Sequence, residues 1–109
     1  MEVNMTEKVT AGRDHLGQVA SDFARYNDDI LFGEVWADKT LPPKTRSIAT
    51  VSALMSMGAF EQLLVHMAKA KENGVSEKEM AALITQLAFY AGWPKGWSAF
   101  NILKKVYGE

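Results

Sequence analysis

The chain has 109 residues, no Cys, and twelve Lys+Arg against thirteen Asp+Glu. A chain without Cys holds no disulfide, no thiolate zinc site, no iron–sulfur cluster and no Cys nucleophile. Near-balanced charge with no basic run leaves no footprint for nucleic acid, and no stretch approaches the roughly 20 apolar residues of a membrane span. The length fits one domain, read here as residues 1–109. Met1-Glu2-Val3-Asn4 places acidic and polar residues where a signal peptide would carry its apolar region, so the expected location is cytoplasmic.

Residues 1 to about 9 are polar and read as a loose lead-in. From about Thr10, the apolar positions Leu16, Val19, Ala20, Phe23 and Ala24 recur every three or four residues, the period of one helix face. A second, short helix is expected from about Asp28 to Ala37, with Ile30, Leu31, Val35 and Trp36 turned inward and Asp28 and Asp29 at its electropositive N-terminus. Leu41-Pro42-Pro43 breaks the chain, because Pro42 disfavours a helical Leu41 and Pro43 suits the first turn of the next helix.

A third helix is expected over Pro43 to Met57, apolar or small on nearly every side through Ile48, Val51, Ser52, Leu54 and Met55, and therefore central. Gly58 ends it, and the fourth helix should fold back from about Phe60 to Asn73, closed by Gly74. Ser76 and Glu79 have the spacing of a capping box and start a fifth helix, whose stripe is Met80, Leu83, Ile84, Leu87 and Ala88. Gly92 stops it, and Pro94 opens the last helix. No segment alternates with period two. The expected class is all-α: a five- to six-helix antiparallel bundle.

Few side chains can carry chemistry. His66 sits inside the apolar turn Leu63-Leu64-Val65-His66-Met67 and reads either as a packed core histidine or as a proton donor, since imidazole titrates near neutrality. Arg46 precedes a long apolar run, and a buried Arg requires an acid or an anionic ligand. Across the hairpin the two differ in height by roughly 7 Å, within reach of a guanidinium stem. Glu34, beside Trp36, reads either as an exposed acid or as a group that pairs with Arg46 or tunes His66. Trp93 and Trp97, four residues apart, suit a ligand pocket or a helix contact equally. No metal cluster, phosphate loop or dinucleotide fingerprint is present.

Phe32-Gly33-Glu34, Trp36, Leu41, Arg46, Leu63, His66, Ala70, Asn73-Gly74-Val75, Glu79, Tyr90-Ala91-Gly92-Trp93-Pro94 and Ala99 together resemble the carboxymuconolactone decarboxylase family, which shares its helical fold with the alkylhydroperoxidase D-like proteins. The similarity covers about residues 31–106. The peroxidase branch carries a CxxC pair before its His, which here falls on Ala59, Phe60, Glu61 and Gln62, so thiol peroxidase chemistry is excluded. Decarboxylase-like members often have an acid where this chain has Ala82 and a His where it has Gln86.

The resemblance implies a lyase without metal or organic cofactor, acting on 4-carboxymuconolactone or a similar small acidic lactone. It implies His66, Arg46 and Glu34 as catalytic residues, Trp36, Tyr90 and Trp93 against the substrate, and self-association to trimers or hexamers. The alternative is a non-catalytic oligomeric protein of the same family that binds a small molecule or a partner.

Overall fold

The structure is a computed structural model that describes residues 8–108. Most of the expected loose lead-in, residues 1–7, lies outside the described residues. Among the described residues every regular element is helical and none is a strand, as the sequence pattern requires. They fall into two compact units that divide between Pro42 and Pro43.

The first unit contains α1 (Ala11–Leu16) and α2 (Ser21–Arg25), and α2 runs directly into a π-wound segment (Tyr26–Val35). The wide winding shows in the bond from the Trp36 N–H to the Leu31 carbonyl, 2.9 Å long and five residues back. The single helix expected from Thr10 through Ala24 is therefore broken. Its break lies at 17–20, where Ala20 leaves helical geometry at φ −144° and ψ 74°.

The reason is Asp28. Its buried carboxylate accepts from the Gly12 N–H at 2.8 Å and the Arg13 N–H at 3.0 Å, taking up two donors that a helix start leaves open. Closing those bonds requires α1 to fold back on the segment that carries Asp28. Gly12 permits it, since a Cβ there would stand 2.7 Å from the Ala24 carbonyl oxygen. Ile30, Leu31 and Val35, expected inside, are exposed, whereas Trp36 is buried with its ring stacked on Phe32.

The second unit is a four-helix bundle of α3 (Pro43–Met57), α4 (Phe60–Glu72), α5 (Glu77–Ala91) and α6 (Trp93–Tyr107). α3 touches each of the other three, and so does α6, so contacts do not single out α3 as the central helix. Gly58 (φ 74°) and Gly74 (φ 96°) end α3 and α4 in the left-handed region. At each end two bonds close the last turn: Ala59 N–H to Leu54 O with Gly58 N–H to Met55 O, and Val75 N–H to Ala70 O with Gly74 N–H to Lys71 O. The capping box is present, with Ser76 Oγ accepting from the Glu79 N–H at 3.1 Å and Glu79 Oε1 accepting from the Ser76 N–H at 2.9 Å.

The core of this unit is Val51 and Met55 from α3, Leu63 and Met67 from α4, Met80 and Ile84 from α5, and Ala99 and Leu103 from α6. Each fully buried Leu, Ile or Met contributes roughly 1.5–3 kcal/mol. Three methionines serve as adaptable core filler, while Met57 is exposed. The Tyr107 hydroxyl donates to the Val75 carbonyl at 2.7 Å and so pins the end of α6 to the α4–α5 turn. Burial, with Glu79 and Glu77 nearby, pushes that phenol up to about 12, so it remains a donor across the neutral range.

Candidate active site

His66 lies midway along α4, one position before the fully buried Met67. It is half-buried, and its Nδ1 is shut away from solvent. Burial, and secondarily the Lys69 charge three residues on, hold the imidazole below its ordinary value, so at pH 7 the ring is neutral. Arg46 lies in the first turn of α3 and is also half-buried. Its carbonyl accepts from Thr50 Oγ1 at 2.8 Å.

The two helices are antiparallel neighbours. Asn73, just past α4, donates to Ser47 Oγ at 2.9 Å, and both residues are buried. That bond sets the end of α4 beside the start of α3. His66 stands seven residues before Asn73, roughly 10 Å along the axis.

Tyr90 and Trp93 flank Gly92 at the α5–α6 turn, and both are exposed. This is the other end of the bundle from Arg46. The Arg46 end also carries the ion pair of Lys44 with Glu79 at 3.1 Å, from the first turns of α3 and α5. At the opposite end Lys95 approaches the Gly58 turn. Glu34 and Trp36 belong to the first unit, Glu34 exposed on the π-wound segment and Trp36 buried.

A cleft of about 260 Å³ opens between α5 and α6, lined by Thr85, Ala88, Trp93, Gly96, Trp97 and Phe100. Trp93 is the one residue that sequence reasoning assigned to substrate and that lines it; Trp97 was weighed as a pocket residue beside it. Thr85, Gly96 and Phe100 were not singled out. For Gly96 and Phe100 the signal is their four-residue spacing, in step with Trp93 and Trp97 on one face of α6; Thr85, on α5, has no such signal. Thr85 is the one residue of the lining with a polar side chain besides the two Trp, and its Oγ1 donates to the Ala81 carbonyl at 2.8 Å. Among the described residues no group of three or more His, Asp or Glu could hold a metal ion.

The profile of the carboxymuconolactone decarboxylase family matches residues 21–105, most of the chain and all four bundle helices but the last two residues of α6. The chain belongs to that family. It is 30% identical over 108 residues to the 4-carboxymuconolactone decarboxylase of Acinetobacter baylyi, covering 99% of this chain and 81% of that protein. It is 28% identical over 94 residues to the nitrosuccinic acid decarboxylase of Metarhizium robertsii, covering 83% of this chain and 66% of that protein. An uncharacterized protein of 15.0 kDa from Paracoccus denitrificans is 30% identical over 83 residues, covering 74% of this chain and 62% of its own length. Family membership accords with the helical bundle and with the resemblance of the Arg46, His66 and Tyr90-Ala91-Gly92-Trp93-Pro94 positions. No helix among the described residues is long and apolar enough to cross a membrane.

Proposed function

We propose that this chain is a cofactor-independent decarboxylase of a small acidic substrate, 4-carboxymuconolactone or a similar lactone. The observation that carries the reading is similarity along nearly the whole chain to a protein named for that activity. The second named relative is also a decarboxylase of a small acid. The family profile spans the boundary between the two units, which supports treating them as one functional domain.

The chemistry asked of the protein is limited. The bond from carbon to the departing carboxylate breaks, CO2 leaves, and its electron pair enters the conjugated lactone as an enolate. Arg46 meets the charge that develops on the enolate oxygen. It does not clamp the departing carboxylate, because that would stabilise the ground state as much as the transition state. His66 returns a proton to carbon. The ring is neutral in the free protein, and an anionic substrate beside it raises its proton affinity, so the acid is generated when the substrate binds. Glu34 is the third member of the set, assigned by the resemblance to orient or bias these two. The resemblance assigns Trp36, Tyr90 and Trp93 against the substrate as well, but Tyr90 and Trp93 stand at the end of the bundle away from Arg46, so within one chain they do not share a small lactone with it. Self-association to a trimer or hexamer completes the reading.

A non-catalytic family member that binds a small molecule or a partner is the second reading. The apolar cleft at Trp93 and Trp97, away from the Arg46 end, favours it.

The deciding experiment is CO2 release from 4-carboxymuconolactone by the wild type and by the His66→Ala and Arg46→Ala variants, with melting temperatures on the same samples. Turnover that falls by about 10²–10⁴-fold at unchanged stability supports the lyase. A wild type inactive on carboxylated lactones, with variants that lose only stability, supports the second reading.

A further inference from the structure

The cations of α3 and α4 point in definite directions. On α3, Lys44 and Arg46 are two residues apart, and so roughly 200° apart around the axis. The Lys44 ammonium pairs with Glu79 of α5 at 3.1 Å. Arg46 is therefore turned away from α5, to the flank of α3 that α4 covers. On α4, Lys69 and Lys71 stand in the same relation. Lys71 Nζ donates to the Val106 carbonyl of α6 at 3.1 Å, so Lys69 is turned to the other side, toward α3. Asn73, about one turn on, marks that side through its bond to Ser47 of α3.

Arg46 and Lys69 thus flank one groove, between α3 and α4. His66, close to two full turns before Asn73, lies on the same side of its helix. Lys69 stands roughly 6 Å along the axis from the level of Asn73, and His66 roughly 10 Å. Lys69 therefore lies between His66 and the end that carries Arg46. All three are half-buried, although lysine usually extends into water. α3 adds no acid to the groove, since Pro43–Met57 holds no Asp or Glu. The Lys69 charge is felt at the ring, where it adds to burial in lowering the proton affinity of His66.

The proposed reaction gives tasks to Arg46 and His66 and none to Lys69. The substrate leaves one task open. 4-Carboxymuconolactone enters as a dicarboxylate, and only one carboxylate departs. The dianion takes up one proton and yields CO2 and a monoanion, so the second carboxylate persists from binding to release. Two fixed cations beside a neutral imidazole match a dianion and hold the monoanion less firmly.

We infer that Lys69 is the specificity residue of the proposed site: its ammonium holds the carboxylate that stays, so the site takes dicarboxylates and discriminates against monocarboxylates. The inference rests on the proposed decarboxylation and names the residue that selects its substrate class. The retained carboxylate keeps its charge throughout, so Lys69 holds the ground state and the transition state alike. Such uniform binding sets KM and leaves kcat nearly alone. The competing assignment is a helix-surface pair with Glu72, three residues on.

The test is steady-state CO2 release from 4-carboxymuconolactone by the wild type, Lys69→Gln and Lys69→Arg, with melting temperatures on the same samples. Lys69→Gln is expected to raise KM by about 10- to 100-fold, the loss of one charge-assisted hydrogen bond, and to change kcat by less than about threefold. Lys69→Arg is expected to recover most of the loss. A second readout needs no turnover. Followed at the His66 ring by NMR, succinate is expected to bind the wild type at least about 10-fold tighter than butyrate, and Lys69→Gln to abolish that margin. An active wild type whose KM is unchanged by Lys69→Gln overturns the role of Lys69 and leaves the decarboxylase standing; a lower melting temperature then assigns the residue to Glu72. A loss confined to kcat overturns it equally. A wild type inactive on carboxylated lactones overturns the decarboxylase. In that case a succinate preference that Lys69→Gln abolishes still supports Lys69 as the dicarboxylate anchor, and equal binding of succinate and butyrate overturns it.

Discussion

Asn73 donates from Nδ2 to Ser47 Oγ across 2.9 Å, with both side chains buried, and this bond sets the register of α4 on α3. One partner is next to Arg46, and the other closes the helix that carries His66. The bond thus ties the two proposed catalytic helices at one level. Ser47→Ala removes the acceptor and keeps the volume small. The expected loss is about 1–3 kcal/mol, the cost of a buried donor deprived of its acceptor. Urea unfolding of Ser47→Ala and Asn73→Ala, with the double variant, checks it. The double variant should lose less than the sum of the singles, and strict additivity would show that the bond contributes nothing.

Gly12 and Asp28 provide the second expectation. Burial alone would raise the Asp28 carboxyl, but donation from the Asn27 amide and the Arg13 and Gly12 N–H groups, with the Arg13 charge, outweighs it and holds the group below the usual carboxylate value. The unfolded chain therefore binds the proton more readily, and the stability Asp28 contributes is present above about pH 4 and lost as pH falls through the folded value. Gly12→Ala sets a Cβ 2.7 Å from both the Ala24 carbonyl oxygen and Asp28 Oδ1. Hydrogen exchange should show α1 amides losing protection in Gly12→Ala at neutral pH and in the wild type once acid below the usual carboxylate range protonates Asp28, while α4 and α5 remain protected. Equal loss across all helices would contradict this.

His66 gives a titration. Burial and then Lys69 lower its proton affinity, so its NMR midpoint should fall below the ordinary 6.5. The unfolded histidine protonates first on acidification, so this group's contribution is complete above about pH 6.5 and lost as pH drops toward the folded midpoint. Lys69→Gln should raise the midpoint, because it removes a like charge. A small dicarboxylate should raise it too if the proposed site takes an anion. A midpoint at or above 6.5 in the free protein would remove the physical basis for an acid made on binding.

Arg46 separates charge from geometry. In a lyase, Arg46→Lys should recover part of the turnover that Arg46→Ala loses, since it restores a cation but not the planar fork. Glu34→Gln should be milder than either, and should move the pH profile of kcat if Glu34 biases His66. An Arg46→Lys variant with full activity would make Arg46 a simple point charge, and an unmoved profile in Glu34→Gln would remove Glu34 from the set.

Local rules read the second unit well. Pro43, Gly58, Gly74, the Ser76–Glu79 box and Pro94 each act through their own backbone chemistry, so the helices begin and end where the residues dictate. The apolar stripes Leu63–Met67 and Met80–Ile84 met one core because a period of 3.6 specifies a face whatever it packs against. The resemblance of spaced residues likewise carried the family. The first unit was misread for the opposite reason. Asp28 reads from the sequence as an acid suited to its own helix's N-terminus, and only a contact sixteen residues away makes it a buried cap for Gly12. Helical periodicity across Leu16 to Ala24 gave no hint of the break, because the break follows from that distant bond. The same holds at the bundle's ends: the chain lists Arg46, His66 and Trp93 without order in space, and antiparallel packing alone sets Arg46 and Trp93 apart. Spacing along one helix is local geometry, and the distance between two helices is decided by how their side chains fill the core between them.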